Sequence, residues 1–286
     1  MLRSDQMDAF LSDGYLVVED AFPASDLDDL IREFNGSVED NAIEAVSQGL
    51  VEHTYPDEPF PTRLARIVES AADRFSADDL GGLLYRNLTG KLRSPAMFGV
   101  LTNPALLDIV ESVIGREILA HPQFNVRAKL PAQDRTVVPW HQDLGYLQPD
   151  ASDTMMVNIW LPLVDATKEN GCLEVVSGSH RQLIDHTHGL GPAGNFKGLT
   201  DEDLPSGDHV LCPVPKGGVL LIQHRTIHRS LPNVSDHIRW SLDIRYSDPA
   251  MPTGRDGVPG FIARSNAPQR VVTSLEGWDA LFESTP

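Results

Sequence analysis

The tripeptide His141-Gln142-Asp143 sets an imidazole and a carboxylate two positions apart, and both groups are of the kinds that bind catalytic transition metals. The preceding Thr136-Val137-Val138-Pro139 is a short β-branched run, which predicts a strand over 136–142. Side chains of a strand alternate between its faces, so His141 and Asp143 are expected to point one way and Gln142 the other. A second histidine would complete a 2-His-1-carboxylate set, which holds ferrous iron on one face and leaves the opposite coordination positions open. The chain offers one where Gly217-Gly218 turn into an expected strand, Val219–Gln223, and lead on to His228, 85 residues past Asp143. That is ample chain for several strands to return beside it. His224, four residues before His228, has a ligand spacing suited to a helix and is the competing histidine.

Eleven residues beyond His228, Arg239 opens the run Arg239-Trp240-Ser241-Leu242-Asp243-Ile244-Arg245-Tyr246, which alternates with period two. Leu242, Ile244 and Tyr246 form an apolar face, and Arg239, Ser241, Asp243 and Arg245 a polar one. Such a polar face either meets water on an open sheet or lines the lumen of a small barrel. Lys129, on a predicted strand over 123–130, poses the same choice between a solvated amine and a cation facing an anionic substrate or co-substrate. Gln123 and Asn125 share one face of that strand. Asp185-His186-Thr187-His188 lies in a Gly/Pro-rich stretch running to Phe196 and reads as a loop over the mouth of a site. Ser177-Gly178-Ser179-His180 lacks the first glycine of a nucleophile elbow, so a serine hydrolase is not expected.

The elements needed to position these groups fall into two blocks. Short helices are expected at Gln6–Leu11, from a Ser25/Asp28 capping box to Gly36, and over Arg63–Phe75, with a strand at Tyr15–Glu19. Asn103 before Pro104 predicts a capped helix whose apolar face is Leu106, Leu107, Val110, Val113 and Ile114, closed by Gly115. Beyond it, short β-runs near 117–120, 123–130, 136–142, 154–161, 172–176, 209–214, 219–223 and 237–246 predict an antiparallel jelly roll or barrel.

Composition narrows the class. The 286 residues include two distant cysteines, Cys172 and Cys212, so a disulfide framework is not expected and a reducing cytoplasm is. No signal peptide or membrane span is expected. A net charge of −18, from 23 basic and 41 acidic residues, argues against nucleic acid or an anionic membrane as partner. No pattern points to a particular oligomeric state.

The ordered set His141-x-Asp143, His228 and Arg239, with the Asn170-Gly171 turn between, resembles the phytanoyl-CoA dioxygenase family of Fe(II)- and 2-oxoglutarate-dependent oxygenases. Asp13-Gly14-Tyr15-Leu16-Val17 and the Asn233 region resemble it too; the likeness is weakest across 37–100 and beyond about 250. The resemblance implies a double-stranded β-helix core (a cupin-like jelly roll) over about 116–250, packed with helices over about 1–115. With a tail over 251–286, this makes one oxygenase domain across 1–286. It implies His141, Asp143 and His228 as the iron ligands and catalytic centre, in preference to His224, with 2-oxoglutarate and O2 as co-substrates. Arg239 is implied as the cation for the far carboxylate, because a bidentate guanidinium matches a carboxylate better than an ammonium does. Ser230, on the face of His228 by strand spacing, is implied as a second donor. Trp160 falls near an aromatic position of the family's co-substrate pocket, and is equally placed to be a core tryptophan.

A carboxylate at Asp143 separates the chain from related halogenases, which carry a small residue there. The activity implied is hydroxylation of a small metabolite or natural product, with release of succinate and CO2. A cupin-like metal-binding protein without turnover, an isomerase or a 2-oxoglutarate sensor, is the alternative. Arg86, Lys91, Arg93 and Lys197 are too scattered for an acyl-CoA's phosphates. Specificity is expected from 37–100 and from a lid over 181–208.

Overall fold

A computed structural model of the chain describes residues 1–84, 93–121, 124–133, 136–191, 194–255 and 259–283. Helix α1 (Ser4–Asp13) stops at Gly14, whose φ of 82° is left-handed and turns the chain directly into β1 (Tyr15–Val18). A side chain on Gly14 would also strike His180 and Thr226. β1 pairs with β9 (Val219–Gln223), and Gln223 and Thr226 bond back to the Phe10 and Gly14 carbonyls.

The large sheet is antiparallel and organised on β11 (Arg239–Ser247). One edge of β11 pairs with β4 (Val157–Pro162), and the other with β3 (Asn125–Lys129) and then β2 (Ile118–Ala120). β12 (Phe261–Arg264) extends the sheet past β2. Against it lies a smaller antiparallel sheet of β10 (His228–Ser230), β5 (Leu173–Val176) and β8 (His209–Cys212). Trp160, Leu220 and Ile222 from the first and Leu173, Val175 and Cys212 from the second form one apolar cluster, which makes the pair a jelly roll. A hairpin of β6 (Thr187–Gly191) and β7 (Gly194–Gly198) stands apart.

Alternation divides every central strand between two cores. Trp240, Leu242, Ile244 and Tyr246 of β11, with Val157, Ile159 and Leu161 of β4, pack outward on a helical layer. That layer comprises α2 (Asp28–Ser47), α3 (Phe60–Glu69), α4 (Ala77–Leu84), α5 (Pro95–Leu101) and α6 (Pro104–Ile114). The C-terminal helix α7 (Leu275–Glu283) joins it through the buried Trp278. Pro95–Ile114 has the length and apolarity of a membrane span, but Thr102 and Asn103 break it into two helices. Met97, Leu101, Leu106 and Val110 from those helices lie in the core. Asn103 caps α6 by accepting the Ala105 and Leu106 N–H groups.

Four expectations are corrected. α2 runs through Gly36 to Ser47, because Val38, Ala42 and Ala45 continue the buried stripe of Leu30 and Phe34; that burial outweighs the roughly 1 kcal/mol helix penalty of glycine. No Ser25 capping box opens α2, because Ala24–Leu27 is a 3-10 turn. The 63–75 helix is α3, which starts at Phe60 and ends at Glu69. The strand over 136–142 is not formed. Pro139 has no N–H to give, so the segment meets β10 through Val138–Ser230 bonds and an isolated bridge, His141 to His228, without a continuous ladder, and Asp143 already begins a 3-10 turn.

Trp240 joins the layers. It is fully buried, stacks on Phe60 at 5.0 Å, lies 6.1 Å from Phe34, and has no partner for its indole N–H among the described residues. Trp240→Ala should lower the unfolding free energy by about 3–5 kcal/mol in urea titrations. Trp240→Phe keeps most of the ring contact and sheds the unpaired N–H, so it should cost less than about 1.5 kcal/mol. Equal losses would show that ring contact is not what ties sheet to helices.

Candidate metal centre and adjoining cavity

The ligand atoms of His141, Asp143 and His228 lie within 4.8 Å of one another, all three residues buried. The backbone builds the two histidines alike. Each accepts the other's N–H at 3.0 Å. Each ring also turns Nδ1 to the carbonyl two residues back, Pro139 at 2.8 Å and Thr226 at 2.9 Å. A proton on Nδ1 satisfies those carbonyls and leaves the Nε2 lone pairs free for a metal. Burial, and then His228, push the His141 imidazole down to about 3, so it is neutral at pH 7. Burial raises the Asp143 carboxyl, but Arg245 and the two imidazoles outweigh it and hold the group below the ordinary carboxylate range. The neutral His141, the ionised Asp143 and the His228 ring, converging in a buried site, fit a divalent ion.

Asp143 reaches this position without the strand that the sequence predicts. The Leu144 N–H bonds to the His224 carbonyl at 2.8 Å and turns the chain inward after Gln142. His224 contributes that carbonyl and is outside the ligand set, as the spacing of β9 and β10 requires. Its ring is buried and pushed down to about 4, first by burial and then by Arg225.

The triad opens into a cavity of about 220 Å³. Arg239, Lys129, Ser230 and Trp160 line it, so the polar face of β11 looks inward and Lys129 is not solvated. Arg239 and Lys129 are cross-strand neighbours, each 2% exposed. Burial lowers Arg239 to about 10 and Lys129 to about 6, the latter aided by Arg239 and Arg127. Arg239 donates to Ser241 and lies over the Trp160 ring at 5.1 Å, while its Nε has no partner among the described residues. Lys129 donates to the Thr136 carbonyl at 2.6 Å. Gly171, at φ 87°, leaves room for the Lys129 stem, which a Cβ there would strike. Ser230 Oγ accepts the Val138 N–H at 2.9 Å, so its own proton points elsewhere. Trp160 thus serves the core and the cavity together.

Two residues that the sequence did not single out grip Asp143: Arg245 at 3.0 Å, and Asn158. Arg245 was visible as a member of the polar face; Asn158 had no signal beyond its place in a strand. Arg127, which also lines the cavity, pairs with Asp243 at 3.0 Å. Asn125 lies on β3, whereas Gln123, Arg86 and Lys91 fall outside the described residues. The 181–208 segment contains the β6–β7 hairpin rather than a bare loop. It is tied to the ligand segment by His186 Nε2, which accepts the Gln142 N–H at 2.9 Å, and by Lys197, which donates to the Gly145 carbonyl at 2.7 Å.

The sequence profile described as Phytanoyl-CoA dioxygenase (PhyH) matches residues 10–241. Phytanoyl-CoA dioxygenase domain-containing protein 1 of Mus musculus is 33% identical over 161 residues, 54% of each chain. The 1-deoxypentalenic acid 11-beta-hydroxylase of Streptomyces arenae is 27% identical over 157 residues, 50% of this chain and 54% of its own. The chain therefore spans about half the length of these curated relatives. Among solved structures, the epimerase SnoN in complex with Fe3+, alpha ketoglutarate and nogalamycin RO superposes with a TM-score of 0.56 at 19% identity. That match covers 88% of this chain and 86% of SnoN, and it shows a shared fold.

Mn2+ titration of the purified protein tests the ligand set. Asp143→Ala and His228→Ala should each weaken binding by at least about two decades, and His224→Gln by less than about threefold. A comparable loss in His224→Gln would place the ion elsewhere.

Proposed function

Because the chain belongs to the phytanoyl-CoA dioxygenase family, we propose that it is an Fe(II)- and 2-oxoglutarate-dependent dioxygenase hydroxylating a small metabolite or natural product. One observation carries this reading. The three candidate metal-ligating side chains open into the same cavity as the buried Arg239 and Lys129, which have no carboxylate partner among the described residues. A hydroxylase among the relatives, and a structural neighbour holding Fe3+ and alpha ketoglutarate, support it.

Iron held by His141, Asp143 and His228 would supply dioxygen activation, coupled to oxidation of 2-oxoglutarate to succinate and CO2 and insertion of one oxygen atom into a substrate C–H bond. The protein's own part is placement. Arg239 binds the far carboxylate of the co-substrate, for which its unpartnered Nε and buried charge are ready. Ser230 donates its hydroxyl proton to the same carboxylate. Lys129, mostly neutral before binding, takes up a proton as the anion arrives beside it. Trp160 covers the guanidinium and, with Leu173 and Ile222, keeps water from this end of the cavity. The β6–β7 hairpin, fastened beside Gln142, lies where it can cover a bound substrate. Free buried thiols at Cys172 and Cys212 accord with a reducing, cytoplasmic setting.

Anaerobic loading with Fe(II), then addition of 2-oxoglutarate and oxygen, should release succinate from the wild type and none from Asp143→Ala. Binding of 2-oxoglutarate without turnover across a broad metabolite library would instead make the protein a sensor. Arg239→Leu should weaken 2-oxoglutarate about 100-fold, the loss of roughly two charge-assisted bonds.

Lys129 gives the pH dependence. Its free amine titrates near 6, and a bound carboxylate raises that value. Calorimetry of 2-oxoglutarate binding to Mn2+-loaded protein at pH 7.5 should therefore show uptake approaching one proton, with affinity falling on the order of tenfold per pH unit above 6.5. Lys129→Met should abolish the uptake; uptake persisting in that variant would assign the proton to another group.

A further inference from the structure

Asp143 is held from two adjacent strands. Arg245 of β11 and Asn158 of β4 are register partners, and both turn into the cavity. Arg245 Nη2 donates to Oδ1 of Asp143 at 3.0 Å, and Asn158 Nδ2 donates to Oδ2. Each carboxylate oxygen therefore has its own donor. Oδ1 is the oxygen that faces Nε2 of His141, at 3.8 Å, while Oδ2 is committed to β4.

Among the described residues, neither donor has a second side-chain hydrogen bond. Arg245 is 8% exposed and Asn158 6%. Arg245 Nη1 and Asn158 Oδ1 have no hydrogen-bond partner among the described residues. A buried polar atom left in that state is destabilising. Both side chains are buried at this cost with their bonded atoms on the carboxylate.

We propose that Arg245 and Asn158 are positioning residues that keep Asp143 a one-oxygen ligand, so that three coordination positions stay open at the metal. The inference rests on the metal-centre reading above. A carboxylate binds a cation through one oxygen or through both. Through both, it would occupy a fourth position and leave two, whereas a chelating keto acid and dioxygen together need three. Asn158 holds Oδ2 out of that role, and Arg245 fixes the plane of the carboxylate through Oδ1. The two histidines are constrained in the same manner by the carbonyls on their Nδ1 atoms, so all three ligands have an outer partner.

Mn2+ alone is the probe, added to the full chain. Water-proton relaxation per bound Mn2+ reads the waters left on the metal, and thermal unfolding of the metal-free chain reads structural damage. Asn158→Leu, close in size, frees Oδ2. Its relaxivity should fall by about one third as three open positions become two, with Mn2+ affinity kept or tightened up to about threefold. The affinity of the loaded protein for 2-oxoglutarate should fall about tenfold or more. Arg245→Lys retains the charge but loses the planar fork, and should shift the same readouts in the same direction by less; it preserves the test where Arg245→Leu does not fold.

Unchanged relaxivity per bound Mn2+ in both variants overturns the clamp and leaves the metal centre standing. So does a loss of Mn2+ affinity that merely tracks a lowered melting temperature. Wild-type protein that binds no Mn2+, or binds it equally well after Asp143→Ala, overturns the metal centre and the clamp together.

Discussion

A cation sealed in a protein interior is tolerable only if something negative or polarisable meets it, and that constraint shapes the inner wall of this sheet. Arg239 and Lys129 face each other across β3 and β11, like charges at the distance where such pairs repel. The protein relieves them incompletely. A hydroxyl, a backbone carbonyl and the face of Trp160 are the partners provided, and Lys129 sheds much of its charge. What remains is an opening shaped for an anion. Three alternations further along β11 the same face carries Arg245, and there the protein supplies the carboxylate of Asp143.

The strand that carries these charges can afford them because its opposite face is wholly apolar. Trp240, Leu242, Ile244 and Tyr246 bury against the helices, so β11 is anchored by hydrophobic contact on one side while its polar side faces the cavity. Both faces are thus covered by protein, the helices on one and the small sheet on the other. The same division on β4 sends Val157, Ile159 and Leu161 outward and leaves Asn158 and Trp160 to meet the cavity.

The His141–Asp143 segment links the cavity to its surroundings through the residue between them. Gln142 points away from His141 and Asp143 and is fully buried. Its amide donates to the Gln182 and Arg225 carbonyls, and its oxygen accepts the Ile184 N–H at 2.9 Å. Gln142 therefore fastens the segment that leads into the β6–β7 hairpin directly between His141 and Asp143. The segment before the hairpin and the His141–Asp143 turn share one anchor.

Much of this was legible in residue types and order. His141, Asp143, His228 and Arg239 were singled out by their order, which resembles that of the phytanoyl-CoA dioxygenase family, because sequence order survives folding. Period two in 239–246 predicted two faces, and Asn103-Pro104 predicted a capped helix start, because both signals are set by backbone geometry within a few residues. The path of 136–143, the continuation of α2 past Gly36 and the 187–198 hairpin were not legible. Each depends on a partner distant in sequence: β10 for His141, the packed stripe under Val38 and Ala42, and Gln142 for the hairpin. The sequence alone thus determined which groups could act, since ligand type and strand alternation are written locally. Only the tertiary structure decided which way the charged face of β11 looks, that Lys129 is buried beside Arg239, and that Arg245 and Asn158 meet on Asp143. Burial and the pairing of charges arise between segments far apart in the chain, and no local pattern encodes them.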